Sequence, residues 1–303
     1  MKGCHIDGLL LHSNIDKGRR RNVNSVGYLG PSASFTEQAV KGLFLHNKRI
    51  AFDSIYDCLD AVNKEVVDFG VVPLENTIEG SVTITLDYLI HEQSLPIVAE
   101  IVVPIQQHLM IHPSNHHKEI TSIYSHPHAL AQCRKFLSTH YPAVNQIQSL
   151  STSGAAMFVA NHPDVPIAAI ANELAAEEYN LTMIDQNIHD YDVNHTRFIV
   201  VSKIGKEQEA SLSQNVNTKT TLIVTLPSDQ AGALHQVLSA FAWRKINLSK
   251  IESRPMKTGL GRYLFIIDLE GTMESILITS AIHELEALGF GVVCLGSYPV
   301  IQK

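Results

Sequence analysis

The chain has 303 residues, 45% of them apolar and 17% charged, a soluble globular balance that excludes disordered and fibrous classes and is long enough for two domains. Its formal charge of −7 offers no chain-wide basic footprint for nucleic acid, and the basic cluster Lys17 to Arg21 lies near the start of the chain. The longest apolar runs are strand-sized, short of a membrane span, and Leu9-Leu10-Leu11 is too brief for a signal-peptide core, so residues 1–22 read as a poorly ordered leader.

From Val26 short apolar strands alternate with amphipathic helices. Val26 to Gly30 reads as a strand stopped by Pro31, and Ser34-x-x-Glu37 is a capping-box pattern that opens a helix through Ala39, Val40 and Leu43. Ile55, Leu59 and Val62 mark a second helix. Asp68 to Pro73 is a buried-type strand, Leu74 to Gly80 a loop, and Ser81 is expected to begin a helix carrying Leu86, Leu89 and Ile90. Ile97 to Ile111 is extended, broken at Pro104, and reads as a crossing between two lobes. The alternation resumes with a strand at Ile120 to Tyr124, a helix from His128 to Leu137, a strand at Val144 to Leu150 and a helix at Thr152 to Ala160. Ile167 to Ala171, a helix on Glu173 to Tyr179 and Met183-Ile184 follow. Asp190 to Asn194 then leads back across. Such βα alternation predicts an α/β fold with a mostly parallel sheet, and two lobes joined by two crossings enclose a cleft. The first domain is expected over residues 24–204, with lobe 1 at about 24–101 plus 195–204 and lobe 2 at about 102–194.

Residues 205–218 are polar and read as a linker. Beyond them come a strand at Thr220 to Leu226, a helical face on Leu234, Val237, Leu238 and Phe241, a strand at Asn247 to Met256, a turn at Thr258 to Gly261 and a strand at Tyr263 to Leu269. A helix on Ile278, Ile282 and Leu285 and a closing strand at Val292 to Leu295 complete βαββαβ over residues 219–300, the ferredoxin-like order.

Free N–H groups at helix starts make anion sites. Three starts carry small hydroxylic residues: Ser34 with its neighbours, Ser81 after Gly80, and Thr152 within Ser151 to Gly154. Each is equally a preferred cap, but three on one cleft suit a ligand with two carboxylates. The 16 histidines show no ligand spacing for a metal, there is no phosphate-binding or dinucleotide motif, and no cofactor is expected. The four cysteines are scattered, consistent with reduced thiols in the cytoplasm.

Asn194-His195-Thr196-Arg197-Phe198 sets a hydroxyl and a guanidinium side by side at the head of the apolar run Phe198 to Val201. Neighbours on a strand point to opposite faces, so Thr196 and Arg197 share a site only at a strand end or hinge. An edge strand with one solvated arginine is the plainer reading.

Four segments, Gly30 to Ala39, Val72 to Ser81, Ser125 to Cys133 and Asn194 to Phe198, resemble the prephenate dehydratases in the family's order, and together cover about residues 26–203. The tail resembles the ACT regulatory domain through Asp229-x-x-Gly232-Ala233-Leu234-His235 and Glu252 to Pro255. Two positions depart from the family's usual residues: Ala33 stands for Gly and His128 for Gln.

The resemblance implies a two-lobed, periplasmic-binding-protein-like catalytic domain followed by the ACT domain. It implies a cytoplasmic lyase that converts prephenate to phenylpyruvate with loss of water and CO2 in phenylalanine synthesis, without metal or membrane. Carried over by position, Thr196 donates to the leaving hydroxyl, Arg197 binds a carboxylate and Glu75 is a helper. Asn76, Ser125 and Gln132 are polar substrate contacts, joined by Ser34, Ser81 and Thr152, and Phe198 is apolar wall. L-Phenylalanine is implied as feedback inhibitor on Gly232, Ala233, Leu234, Asn247, Glu252, Ser253 and Arg254, between paired ACT domains of a homodimer or homotetramer. A dehydratase acting on arogenate, and a solute-binding module without chemistry, are the competing readings. A fused chorismate mutase is not expected, because residues 1–22 cannot hold one.

Overall fold

The computed structural model describes residues 25–204, 217–227, 231–257 and 263–302. The leader, residues 205–216 of the linker, Asp229 and the turn at 258–261 lie outside the described residues.

The chain opens β1 (Ser25–Leu29), α1 (Phe35–Leu43), β2 (Lys48–Phe52), α2 (Ile55–Asn63), β3 (Phe69–Asn76), β4 (Gly80–Ser81), α3 (Thr83–Asp87) with a π-helical turn after it, and β5 (Ile97–Pro104). The two longer helices begin at hydroxyl caps: Ser34 Oγ accepts from the Glu37 amide at 3.3 Å and Ser54 Oγ from the Asp57 amide at 3.0 Å. Lobe 2 follows as β6 (His108–Ile111), β7 (Ser122–Ser125), α4 (Pro127–Gln132), α5 (Arg134–His140), β8 (Asn145–Gln148), α6 (Thr152–Ala160), β9 (Ile167–Ala171), α7 (Glu173–Glu178) and β10 (Thr182–Asp185). The chain then returns to lobe 1 as β11 (His195–Ser202). The tail forms β12 (Thr218–Thr225), α8 (Ala233–Ala242), β13 (Leu248–Pro255), β14 (Tyr263–Glu270), α9 (Ile276–Ala287) and β15 (Gly291–Gln302).

Lobe 2 carries a sheet in the order β10-β6-β9-β7-β8, and the β11 and β5 crossings join it to lobe 1. In the tail the order β13-β14-β12-β15 is the ferredoxin-like one, so the two-lobed α/β domain followed by βαββαβ stands as read from the pattern. The expectation of a mostly parallel sheet does not: β11 runs antiparallel to both β3 and β5, and β6 antiparallel to β9 and β10, because the chain crosses between the lobes on these strands and returns. One feature of this architecture is not local. β15 runs past the ferredoxin-like unit and pairs in parallel with β5, Val300 opposite Glu100, so the tail sheet and the lobe 1 sheet are continuous.

The core follows this continuity. On one face of the lobe 1 sheet Val26, Val40, Phe69, Phe198 and Val200 pack under α1. On the other, Leu59, Leu86, Ile199 and Val201 pack directly against Ile223, Ile266, Leu295 and Tyr298 of the tail. The tail is therefore seated on lobe 1 through a shared apolar core.

Two local expectations change, and one strand was not read from the pattern at all. Ser81 pairs with Glu75 in a short strand and starts no helix; α3 begins at Thr83. The helix expected from His128 to Leu137 divides into α4 and α5 at Cys133, whose φ of −108° and ψ of 14° leave the helical region. The segment reading Lys-Arg-Ile-Ala-Phe is a strand, β2, at the exposed end of the sheet, where charged residues blunt an edge.

Candidate active site

Between the lobes lies a cleft of about 1270 Å3. Its walls come from the loop after β1, the β3–β4 corner, the β5–β6 crossing, α4, the start of α6 and the first turn of β11. Thr196, Asn76, Ser81, Gln132 and Thr152 all line it.

β11 is a central strand, flanked by β3 and β5 along its length, and not an edge. Period-two alternation therefore holds from its first residues and separates the pentapeptide. Thr196 faces the cleft. Phe198, on the same face further along, is buried in the α1 core and is not a cleft wall. Arg197 points through the sheet to the opposite side, where Nη1 donates to Glu75 at 2.6 Å and Nη2 donates to Glu100 at 2.6 Å and to Asp268 at 2.7 Å. The expectation that Arg197 shares a site with Thr196 is thus corrected: three carboxylates of the protein hold it. Burial works against its charge, but the Glu100 and Asp268 carboxylates outweigh burial and raise its pKa.

Glu75 belongs to the same network. Burial pushes its pKa up, yet Lys250, 3.1 Å away, and Arg197 outweigh that and hold it below the usual carboxylate range. It is an anion beneath the cleft and no proton donor to it. Two further expected contacts are spent elsewhere. Ser125, fully buried, donates to the Ile170 carbonyl at 2.7 Å, and Ser34 caps α1 while donating to the Leu29 carbonyl at 3.2 Å. Of the three hydroxylic helix starts, only that of α6 opens on the cleft, with Ser151 accepting from the Gly154 amide at 2.9 Å and Thr152 beside it.

Around Thr196 the hydrogen bonds have a direction. The Ile78 and Glu79 amides donate to Asn76 Oδ1 at 2.9 and 3.0 Å, which forces Asn76 Nδ2 toward β11. There it donates to Thr196 Oγ1 at 2.9 Å and to Asn194 Oδ1 at 2.8 Å. Thr196 Oγ1 is therefore an acceptor toward Asn76, and its own hydrogen is left for the cleft.

Gln107, which motif reading did not single out, enters the site, as do His126 and His128 of the third motif, to which no substrate role was given. Gln107 on the first crossing is 2% exposed, lines the cleft and holds an Oε1 with no hydrogen-bond partner. His128 of α4 stands 3.7 Å from Glu79 across the cleft, and His126 is kept toward its neutral form by burial and by His128, with Glu79 opposing. Among the described lining residues there is no lysine or arginine. Ala33 adopts a φ of 60°, the left-handed region that favours Gly, and its methyl packs in the lobe 2 core beside Ala155 and Ala156.

In the tail, Gly232 takes a φ of 89° before α8, Ala233 is nearly buried and Leu234 partly exposed. Asn247, just before β13, and Ser253 on it are exposed, while Glu252 and Arg254 turn toward lobe 1. Ser81 Oγ donates to Glu252 at 2.5 Å, and Arg254 pairs with Asp87.

Fold and site together define a two-lobed α/β protein that takes a small molecule in its cleft and carries a fused ferredoxin-like unit. The prephenate dehydratase family profile matches residues 26–206 and the ACT domain profile residues 220–287. A prephenate dehydratase of Bacillus subtilis is 53% identical over 91% of this chain and 99% of that relative. The solved prephenate dehydratase of Arthrobacter aurescens in complex with L-Phe superposes with a TM-score of 0.81 at 36% identity, covering 91% of this chain and 89% of that one. For the Staphylococcus aureus prephenate dehydratase the TM-score is 0.73 at 29% identity, over 90% of this chain and 99% of that one. The chain belongs to the prephenate dehydratase family. Among the described residues no helix is long and apolar enough to cross a membrane.

Proposed function

We propose that the cleft carries out the family reaction, prephenate to phenylpyruvate, with Thr196 as the hydrogen-bond donor to the departing ring hydroxyl. In this reaction the electron pair of the bond to the ring carboxylate flows into the ring as the carbon–oxygen bond opposite breaks. CO2 leaves, and the departing oxygen gains a proton to become water. The observation that carries the assignment is the direction of the Asn76–Thr196 hydrogen bond, which leaves the threonine proton free on the cleft side. Charge develops on the leaving oxygen only as the bond breaks, so a donor aimed there acts mainly on the transition state.

The absence of lysine and arginine among the described lining residues fits the same chemistry. A carboxylate that must leave as CO2 loses its charge in the transition state, so a strong cation on it would stabilise the ground state more. The amides of the first turn of α6 and the Thr152 hydroxyl are donors of moderate strength for holding the substrate's carboxylates, and Gln107 Oε1 is a free acceptor beside them. Thr196→Ala is expected to lower kcat by about 10²–10⁴-fold and Thr196→Ser far less, followed as phenylpyruvate formation. Turnover by the alanine variant close to that of the parent chain rules the assignment out.

For the tail we read a phenylalanine site between ACT domains of a homodimer or homotetramer, formed by the start of α8 at Gly232, Ala233 and Leu234 and by the outward side of β13 with Asn247 and Ser253. The free edge of the sheet at β13 and the partly exposed Leu234 and Ile251 support it. Glu252 and Arg254 then serve the contact to lobe 1 and not the effector. Titration of the full chain with L-phenylalanine by calorimetry, with mass by light scattering, tests both parts. The free thiols of Cys58, Cys133 and Cys294 suit a cytoplasmic enzyme.

A further inference from the structure

Asn194 heads the pentapeptide and touches none of the reacting groups, yet it is hydrogen-bonded to both lobes at the joint between them. It is 3% exposed. Its carbonyl accepts from the Ile105 amide at 2.8 Å, tying the return crossing to the outward one. Its Oδ1 accepts from Asn76 Nδ2 at 2.8 Å, and its Nδ2 donates to Gln132 Oε1 at 3.2 Å. One side chain thus links lobe 1, through β3, to lobe 2, through α4.

The Ile78 and Glu79 amides fix the oxygen end of Asn76, and the bond to Asn194 decides how the hydrogens at its nitrogen end are shared. The two hydrogens on Asn76 Nδ2 face three acceptors: Asn194 Oδ1, Thr196 Oγ1 at 2.9 Å and the His195 carbonyl at 3.2 Å. Asn194 takes the hydrogen on one side, which leaves the other directed at Thr196 and the carbonyl beside it. Without that acceptor one Nδ2 hydrogen is left unpaired in a partly buried setting, the amide tilts about its pinned oxygen toward the His195 carbonyl, and the bond that holds the threonine rotor with its own hydrogen toward the cleft is weakened.

We infer that Asn194 is a positioning residue for the dehydration, acting through Asn76 on the hydroxyl of Thr196 and fixing that hydroxyl relative to lobe 2 through Gln132. It rests on the reading of Thr196 as the donor, and the two are separable by a double-mutant cycle. Asn194→Ala is expected to lower kcat by about 10–100-fold, the size of effect that a small misplacement of a reacting group produces, with KM for prephenate changed by less than about threefold. In a Thr196→Ala background the same substitution is expected to cost less than about threefold, because the hydroxyl it positions is gone. Asn194→Asp keeps an acceptor for Asn76 and can be met by Gln132 once that amide presents its nitrogen instead of its oxygen, and it is expected to return kcat to within about fivefold of the parent chain.

Circular dichroism melts establish that each variant is folded, and the Asp variant carries the test if the alanine one is not. An equal loss from Asn194→Ala in both backgrounds, a loss expressed in KM, or an Asp variant as slow as the alanine one overturns the proposal. Full turnover by Thr196→Ala alone instead removes the reading beneath it.

Discussion

Arg197 is separated from the cleft by the thickness of one strand, and that distance decides what the residue is for. On its side of the sheet three cations, Arg197, Lys219 and Lys250, meet four carboxylates, Glu75, Glu100, Glu252 and Asp268, of which Glu100 and Asp268 are fully buried. Opposite charges paired in a dry setting are weak evidence of net stability, but removing one partner strands the rest. Arg197→Met is therefore expected to destabilise the chain by about 3–5 kcal/mol in urea unfolding, since it leaves Glu100 with Lys219 alone and Asp268 with the Thr221 hydroxyl. A substrate-binding arginine in a solvated cleft would give the opposite pattern, a raised KM and an unchanged midpoint. Strand alternation argued in the sequence for separating Thr196 from Arg197, but a strand end or hinge left room for both in one site, and that was the expectation. What the sequence did not disclose is that β11 is central, with partners on both sides that make the alternation binding from its second residue. Ser125 and Ser34 illustrate the same limit: a hydroxyl near a motif is as readily spent on the Ile170 or Leu29 carbonyl as on a ligand, and only the fold tells which.

β15 shows why the boundaries of elements were harder to read than their existence. The apolar pattern ends at Leu295, interrupted by Gly296 and Pro299, so the strand reads as four residues when it has twelve. Its far end is held by pairing with β5, some two hundred positions earlier in the chain, and no local signal records such a partner. Gly296 is the joint. It adopts a φ of 144°, and a Cβ there would lie 2.3 Å from the Ile97 carbonyl oxygen, so the residue must be glycine for the strand to pass over β5. Gly296→Ala is expected to cost well over about 1 kcal/mol, because the backbone conformation and the contact are both incompatible with a side chain. Thermal unfolding of the variant reads the loss. Elements whose signals are local, such as α6 with its cap and β9 with its unbroken apolar run, were legible almost to the residue, since those signals lie within or beside the segment even where, as for β9, the pairing strands are far away in sequence.

At the scale of the molecule, the ferredoxin-like unit is one residue from the cleft. β13 alternates as any strand does: Ile251 and Ser253 look outward to the edge where an effector and a second ACT domain are read to sit, while Lys250, Glu252 and Arg254 look inward to lobe 1. Lys250 Nζ donates to Ser81 Oγ at 2.7 Å, lies 3.1 Å from Glu75 and 3.2 Å from Glu252, and is only 10% exposed. Ser81 lines the cleft, and Glu75 is the strand neighbour of Asn76, the residue that orders Thr196. A ligand that shifts β13 from its outward side therefore moves the groups that hold Ser81 and Glu75 from its inward side, with no need of a longer path. Coupling between two sites is a free energy, commonly worth 5–150-fold in affinity, and it is reciprocal. Lys250→Ala is expected to leave phenylalanine binding in the absence of substrate within about threefold of the parent chain by calorimetry. Inhibition at saturating phenylalanine is expected to fall toward none, and phenylalanine affinity is expected to become insensitive to a bound substrate analogue by the same factor. Retention of full inhibition by this variant, with folding and oligomeric state intact, excludes β13 as the route and leaves the β15–β5 junction as the connection through which the two sheets act on each other.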